Sequence, residues 1–169
     1  MITVSDNNIC DILIRLVGGV EAVDHFINNS NFVIVNDEEG IHKSWDEQFL
    51  NTTTPNFSNQ LLESFFKSKQ LTKKSTKFLY KTMLSTSVGK NRIKGKLPPK
   101  TKVAHRTGSS FTNKEGVTGA INDIGIVKLP NGNQYLISVF VHNTTEVFKT
   151  GEEIIADISK AVWDHYTKK

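Results

Sequence analysis

The chain has 169 residues, 37% hydrophobic and 22% charged, which suffices for one domain with a core and is too apolar for a disordered chain. No apolar run approaches the ~18 residues of a membrane span, and Met1-Ile2-Thr3-Val4 lacks the basic start and apolar segment of a secretory signal. The net charge of +4 (21 Lys and Arg against 17 Asp and Glu) carries no strong nucleic-acid bias, and the lone Cys10 excludes an internal disulfide.

In chain order, Ile9, Leu13, Leu16 and Val17 recur at helical spacing over residues 8–17, with Cys10 expected in the core, and Gly18-Gly19 ends the helix. A second short helix carries Val20, Val23 and Ile27. Asn28-Asn29-Ser30-Asn31 is a turn cluster, and residues 32–35 form a brief extended run. Residues 36–59 read as a long acidic loop with room for local helix, and Trp45, Phe49 and Leu50 predict that it packs down. Ser58 is the expected N-cap of a helix that buries Leu61, Leu62, Phe65 and Phe66. Another helix over about 73–86 carries Phe78, Leu79 and Met83 and stops at Gly89.

A basic loop then holds Lys90, Arg92, Lys94, Lys96, Lys100 and Lys102. With no aromatic residue interleaved, it reads as solvated surface and not as a single-strand nucleic-acid site. The pattern next turns to alternation, predicting strands over 103–107, 117–129 and 134–141 with a hairpin turn at Asn131-Gly132. Ile154, Ile155, Ile158, Ala161 and Val162 place an amphipathic helix last. Helices, then a three-stranded antiparallel meander, then one covering helix make an α+β fold. Three strands under one helix form a thin layer that calls for further cover.

Two polar stretches stand out. His105-Arg106-Thr107-Gly108-Ser109-Ser110 ends a strand with groups that bind anions or polarise carbonyls, and Gly108 leaves the backbone open to approach. Ser5-Asp6-Asn7 is a turn in which Asp6 is expected to bond its own backbone amides. In the acidic loop, Glu38 and His42 are four residues apart, on one face if a helical turn forms, and Glu47 and Asn51 repeat that spacing.

Read together, Ser5-Asp6-Asn7, the acidic loop and the Arg106-Thr107-Gly108 strand resemble the class A β-lactamases, whose signatures include Ser-Asp-Asn and Lys-Thr-Gly. The flanking text is similar too: the Gly18-Gly19 break, Arg92-Ile93-Lys94-Gly95-Lys96-Leu97-Pro98, and Asn122-Asp123-Ile124-Gly125 before Leu129-Pro130-Asn131-Gly132. Glu38-Glu39-Gly40-Ile41-His42-Lys43 with Trp45 looks closest to the extended-spectrum branch, which has an enlarged loop beside its site.

The resemblance implies a β-lactamase/transpeptidase-like fold without its N-terminal helix and strands. Residues 1–101 would belong to the helical subdomain, with the loop at about 36–59, and 102–169 to the α/β subdomain. It implies that Ser5 passes a proton to the leaving lactam nitrogen and that Asn7 holds the substrate's side-chain carbonyl. Glu38 would activate the deacylating water with His42 beside it, and Glu47 is the rival base. Arg106, where the family has Lys, would anchor the substrate carboxylate with Thr107. It keeps the charge but cannot readily share a proton. Ser109, beside Gly108, would offer a backbone N–H to the oxyanion hole.

The family's nucleophile motif, Ser-x-x-Lys, belongs upstream of Ser5, where only four residues stand. Ser64-Phe65-Phe66-Lys67 and Ser87-Val88-Gly89-Lys90 match it in the wrong place. The expectation is therefore the C-terminal part of a serine β-lactamase, inactive alone. Its partners would be a β-lactam and the N-terminal segment, with no cofactor, metal, nucleic acid or membrane. The intact family member would be periplasmic or secreted. A non-hydrolytic module for penicillin-like or peptide ligands is the alternative, and a basic nucleic-acid-binding domain ranks below it.

Overall fold

In the computed structural model, which describes residues 1–67 and 70–168, alternation over the last third builds one sheet. Its strands are β3 (Val103–Ser109), β4 (Thr118–Lys128) and β5 (Gln134–Thr144), antiparallel in the order β3-β4-β5. Arg106 pairs with Ile124 and Thr107 with Asp123 across the first ladder. The expected meander is present, with β3 and β5 running two and three residues further than the pattern alone indicated.

The period of two sorts the strand residues onto two faces. Val103, Ile121, Val127, Tyr135, Ile137 and Val139 meet Ile155 and Trp163 of α6 (Phe148–Thr167). Ala104, Ile126 and Leu136 meet the opposite layer. That layer is α4 (Pro55–Phe66), through Leu62 and Phe65, and α5 (Lys73–Leu84), through Met83. The sheet is thus covered on both faces, because the helices expected earlier in the chain fold back under it.

The stretch expected as a long loop is a closed excursion. Two-residue strands β1 (Phe32–Val33) and β2 (Thr52–Thr53) pair antiparallel at its neck. Just inside, Asn51 Oδ1 accepts from Val35 N at 2.7 Å and Asn36 N at 2.9 Å, and Asn51 Nδ2 donates to Asn36 O at 2.7 Å. One turn of helix, α3 (Glu38–Ile41), and a 3-10 turn, Glu47–Phe49, fill the excursion.

Two expectations are corrected. Ser58 is not a cap: it is buried inside α4, and Thr54 is the N-cap, its Oγ1 accepting from Phe57 N at 3.1 Å with Pro55 in the first turn. Thr54→Ala should cost about 1 kcal/mol of stability, read as a lowered thermal midpoint, whereas Thr54→Ser should cost little. The second correction concerns α1 (Asn7–Leu16), which precedes α2 (Val20–Ile27). Its apolar side is uncovered: Leu16 is 75% and Val17 62% exposed, and Ile9, Ile12 and Leu13 are exposed with them. Cys10 is only half-buried, and the one buried residue of α1 is Asp11. Helical spacing reports an apolar stripe but not what covers it.

Candidate active site

Ser5 sits in the left-handed region at φ 57°, which turns the chain sharply before α1. Asp6 caps α1, its Oδ1 accepting from Ile9 N at 2.9 Å, the local backbone role expected of it. Asn7 opens α1 and is exposed. The turn is held from behind, because Ser87 N and Oγ both donate to Thr3 O, at 2.9 and 3.0 Å.

Arg106 reaches this turn from β3. Its guanidinium donates to Ser5 Oγ at 2.9 Å and to Thr107 O at 2.7 Å. A guanidinium cannot accept, so Ser5 Oγ is the acceptor and its own O–H proton remains free to donate elsewhere. Burial lowers the Arg106 pKa, and the nearby Cys10 thiol and Glu38 carboxyl oppose that. The same shared environment raises the Cys10 thiol, chiefly through burial and then through Glu38.

Glu38 is the first residue of α3. Asp11, buried on α1, accepts from Glu38 N at 2.8 Å and from Glu39 N at 3.1 Å, one carboxylate oxygen each. These bonds satisfy free amides of the first turn and pin the acidic excursion to α1. Burial, then the Asp11 charge, raise the Glu38 carboxyl above its usual range, against the attraction of His42 and Arg106. The expected helical turn forms, but His42 Nδ1 lies 2.6 Å from the backbone oxygen of Glu38, not its carboxylate. His42 instead stacks on Phe111, centroids 6.1 Å apart, and Trp45 packs edge-on against Phe111 at 5.5 Å. The rival Glu47 is committed within the excursion, its Oε2 accepting from Asn36 Nδ2 at 2.6 Å.

The far end of β3 is braced by a residue that the basic-loop reading misplaced. Arg92 is 4% exposed, not solvated. It donates to Gly108 O (2.9 Å), Asn122 O (2.7 Å), Ser109 Oγ (2.6 Å) and Glu152 Oε1 (3.1 Å), with its guanidinium 5.4 Å from the Phe148 ring centroid. Thr107 is buried with its methyl over Gly89, where an added Cβ would lie 2.2 Å away. At φ +64° Gly89 is also in the region glycine tolerates best. Gly108 has no such neighbour: an added Cβ would meet nothing nearer than Asn122 Cβ at 4.0 Å, so the backbone there is open to approach.

Beneath lies a fully buried pair, His105 and Asp123, with His105 Nδ1 2.9 Å from Asp123 Oδ2, which also accepts from Ile93 N at 3.2 Å. Thr86 Oγ1 donates to His105 O at 2.9 Å. The structure therefore brings together Ser5, Glu38 and Arg106, with Thr107, Gly108 and Ser109 running on along β3. Arg92, Asp11, His105 and Asp123 were missed as support. A carboxylate set among the apolar residues Ile9, Cys10, Ile12 and Leu13 was the one available signal, and only for Asp11.

A family model described as "Beta-lactamase enzyme family" matches residues 1–166. Beta-lactamase VEB-1 of Pseudomonas aeruginosa is 44% identical over 98% of this chain and 56% of its own length. A beta-lactamase of Bacteroides uniformis is 40% identical over 96% of this chain and 56% of its own length. Among solved structures, the TLA-1 extended-spectrum beta-lactamase superposes with a TM-score of 0.94 at 48% identity, covering 97% of this chain and 60% of that one. The chain thus spans a little over half the length of the curated relatives it matches. With motif order, sheet and family model in accord, the chain belongs to the beta-lactamase enzyme family, on its class A branch.

Proposed function

We propose that this chain carries the proton-transfer, water-activating and substrate-anchoring groups of a serine β-lactamase, and that the nucleophile comes from polypeptide outside it. One observation carries this reading: Arg106 donates to Ser5 Oγ at 2.9 Å across 101 residues of sequence, and the Glu38 carboxyl is near enough for its charge to act on that guanidinium. An anchor for a carboxylate, a hydroxyl with a free proton and a carboxyl of raised pKa then lie near one another.

In this reading the β-lactam carboxylate binds Arg106. Ser5 O–H donates to the lactam nitrogen as the C–N bond breaks. Ser109 N–H helps hold the developing oxyanion, and Asn7 binds the substrate's side-chain amide. Glu38 then removes a proton from the water that attacks the acyl-serine, and the serine regains its proton on release. His42, stacked on Phe111, keeps the Glu38 turn in place. Residues 1–101 serve as part of the helical side of the cleft and 102–169 as part of the α/β side. The working protein acts outside the cytoplasm, as relatives of this kind do.

The two internal Ser-x-x-Lys matches do not supply the nucleophile. Lys67 is ion-paired with Glu63 on α4, and the Ser87 hydroxyl is spent on Thr3 O. The uncovered apolar side of α1 supports further polypeptide packing there.

The test is hydrolysis of a chromogenic cephalosporin. The purified chain alone should show no turnover above buffer. Combined with the N-terminal portion of a relative such as VEB-1, it should turn over, and Ser5→Ala in that combination should slow the reaction ~10²–10⁴-fold. Turnover by the chain alone, or restored turnover indifferent to both Ser5→Ala and Arg106→Ala, would sink the reading.

A further inference from the structure

The charge of the chain is unevenly placed. Between Glu63 and Glu115 there is no Asp or Glu, yet 14 of the 21 Lys and Arg fall there, leaving seven against the 17 acidic residues elsewhere. The net +4 therefore hides a strongly basic segment inside an acidic remainder. The fold turns part of that segment into a surface. α5 presents Leu79, Tyr80, Met83 and Leu84 inward, against Ala104 and Ile126 of the sheet. Lys73, Lys74, Lys77 and Lys81 are exposed. None of these four has an ion pair among the described residues, whereas Lys67 and Lys96 are paired with Glu63 and Asp157. One large apolar residue stands among them: Phe78 is 72% exposed. Lys74 and Lys81 lie one turn before and after it, and Lys77 borders it.

In the sheet order β3-β4-β5, α5 packs under β3 and α4 under β5. Polypeptide added at the β5 edge would therefore lie at the far border of the sheet. Polypeptide laid over the outer side of α5 would have to bury unpaired ammonium groups, which costs more than covering one ring returns. An anionic bilayer is the opposite case. It supplies the counter-charge and, just beneath it, an apolar layer for the ring. A helix ridge is convex and suits a flat surface. A single-stranded nucleic acid needs a groove with successive stacking rings, and the outer side of α5 offers one.

We infer that the outer side of α5 docks on anionic phospholipid bilayers. Phe78 enters the interfacial layer, and Lys73, Lys74, Lys77 and Lys81 bind headgroup phosphates. No helix among the described residues is long and apolar enough to cross a membrane, so the contact is peripheral. The expectation of no membrane partner, which rests on the lack of a span, does not bear on such surface contact. None of these residues belongs to the candidate active site, so the contact is independent of the catalytic reading.

Co-sedimentation of the purified chain with large vesicles tests it. The chain should bind vesicles of phosphatidylcholine with about 30% phosphatidylglycerol and not vesicles of phosphatidylcholine alone. Raising salt from about 0.1 to 1 M shortens the Debye length from ~10 to ~3 Å and should release most of the bound chain. Lys74→Glu/Lys81→Glu should weaken binding ~100-fold or more, and Phe78→Ser about 10-fold. All three positions are exposed, so both variants should keep the far-ultraviolet circular dichroism of the parent. Lys149→Glu/Lys160→Glu makes an equal change of charge on α6, across the sheet, and should weaken binding less than ~5-fold. Millimolar inorganic phosphate should not displace the chain, which separates a bilayer from a free anion as the ligand. The inference falls if the chain ignores anionic vesicles, if phosphate displaces it, or if the α5 and α6 lysine variants act alike. It also falls if Phe78→Ser binds like the parent, or if the chain holds an RNA homopolymer through Lys74 and Lys81 but not the vesicles.

Discussion

Replacing Arg92 with methionine should cost about 3–5 kcal/mol of stability, the range for breaking a buried ion pair by removing one partner. At ~2–4 °C per kcal/mol for a domain of this size, the thermal midpoint should fall by roughly 6–20 °C. The loss is large because one guanidinium serves four acceptors on three elements: Gly108 O and Ser109 Oγ on β3, Asn122 O on β4 and Glu152 on α6. Methionine fills much of the volume and keeps contact with Phe148, yet leaves Glu152 without its ion pair and the Gly108 and Asn122 carbonyls without their side-chain donor. Arg92→Lys keeps the charge but, as a compact ammonium with three donors, cannot reproduce the planar fork, so an intermediate loss is expected. Hydrogen exchange should localise the damage to residues 107–110, the stretch the proposed mechanism needs rigid. A midpoint shift under ~2 °C for Arg92→Met would mean that the fork contributes little.

The same residue shows where sequence reading reaches and where it stops. Alternation in β4 and β5 announced their structure, because one-dimensional period and burial coincide there, whereas the apolar spacing of α6 announced a helix but not its buried side, since Ile155 is buried and Ile154 and Ile158 are exposed. Ser5 and Arg106 stood out because they head a motif pair, with Glu38 in the acidic loop between, and the structure puts the Arg106 guanidinium against Ser5 Oγ. Arg92 was not: it sits among lysines at Lys90, Lys94 and Lys96, and nothing local distinguishes the one cation that folds inward. Its partners lie 16 to 60 residues away in sequence. Thr54 and Ser58 are both fair caps by residue type, and the choice fell to Pro55, which favours the first turn. The apolar side of α1 had the right period but no cover, since period records what a face can bury and not whether anything lies against it.

Glu38→Gln should separate stability from chemistry. In the complemented enzyme it should slow release of the acyl group ~10²–10⁴-fold, because the glutamine amide cannot take a proton from water. An acyl-enzyme should then accumulate, visible by mass spectrometry as a covalent adduct on the supplied serine. The same substitution should stabilise the chain at neutral pH, and the sign follows from the environment of the carboxyl. Burial first, then the charge of Asp11, hold the Glu38 pKa above its ordinary value, and these outweigh the attraction of His42 and Arg106. A carboxyl whose folded pKa is raised contributes fully below its unfolded value of ~4.3, and that contribution is lost as pH rises through the folded pKa. Above its folded pKa the ionised Glu38 therefore destabilises the folded chain, and a neutral amide of the same shape removes that cost. Thermal denaturation from pH 4 to pH 8 should show the glutamine variant gaining on the parent with rising pH and matching it near pH 4. Asp11→Asn should reduce that gain, since the second-ranked source of repulsion has gone. A glutamine variant less stable than the parent at pH 8 would show that Arg106 and His42 outweigh burial at this site.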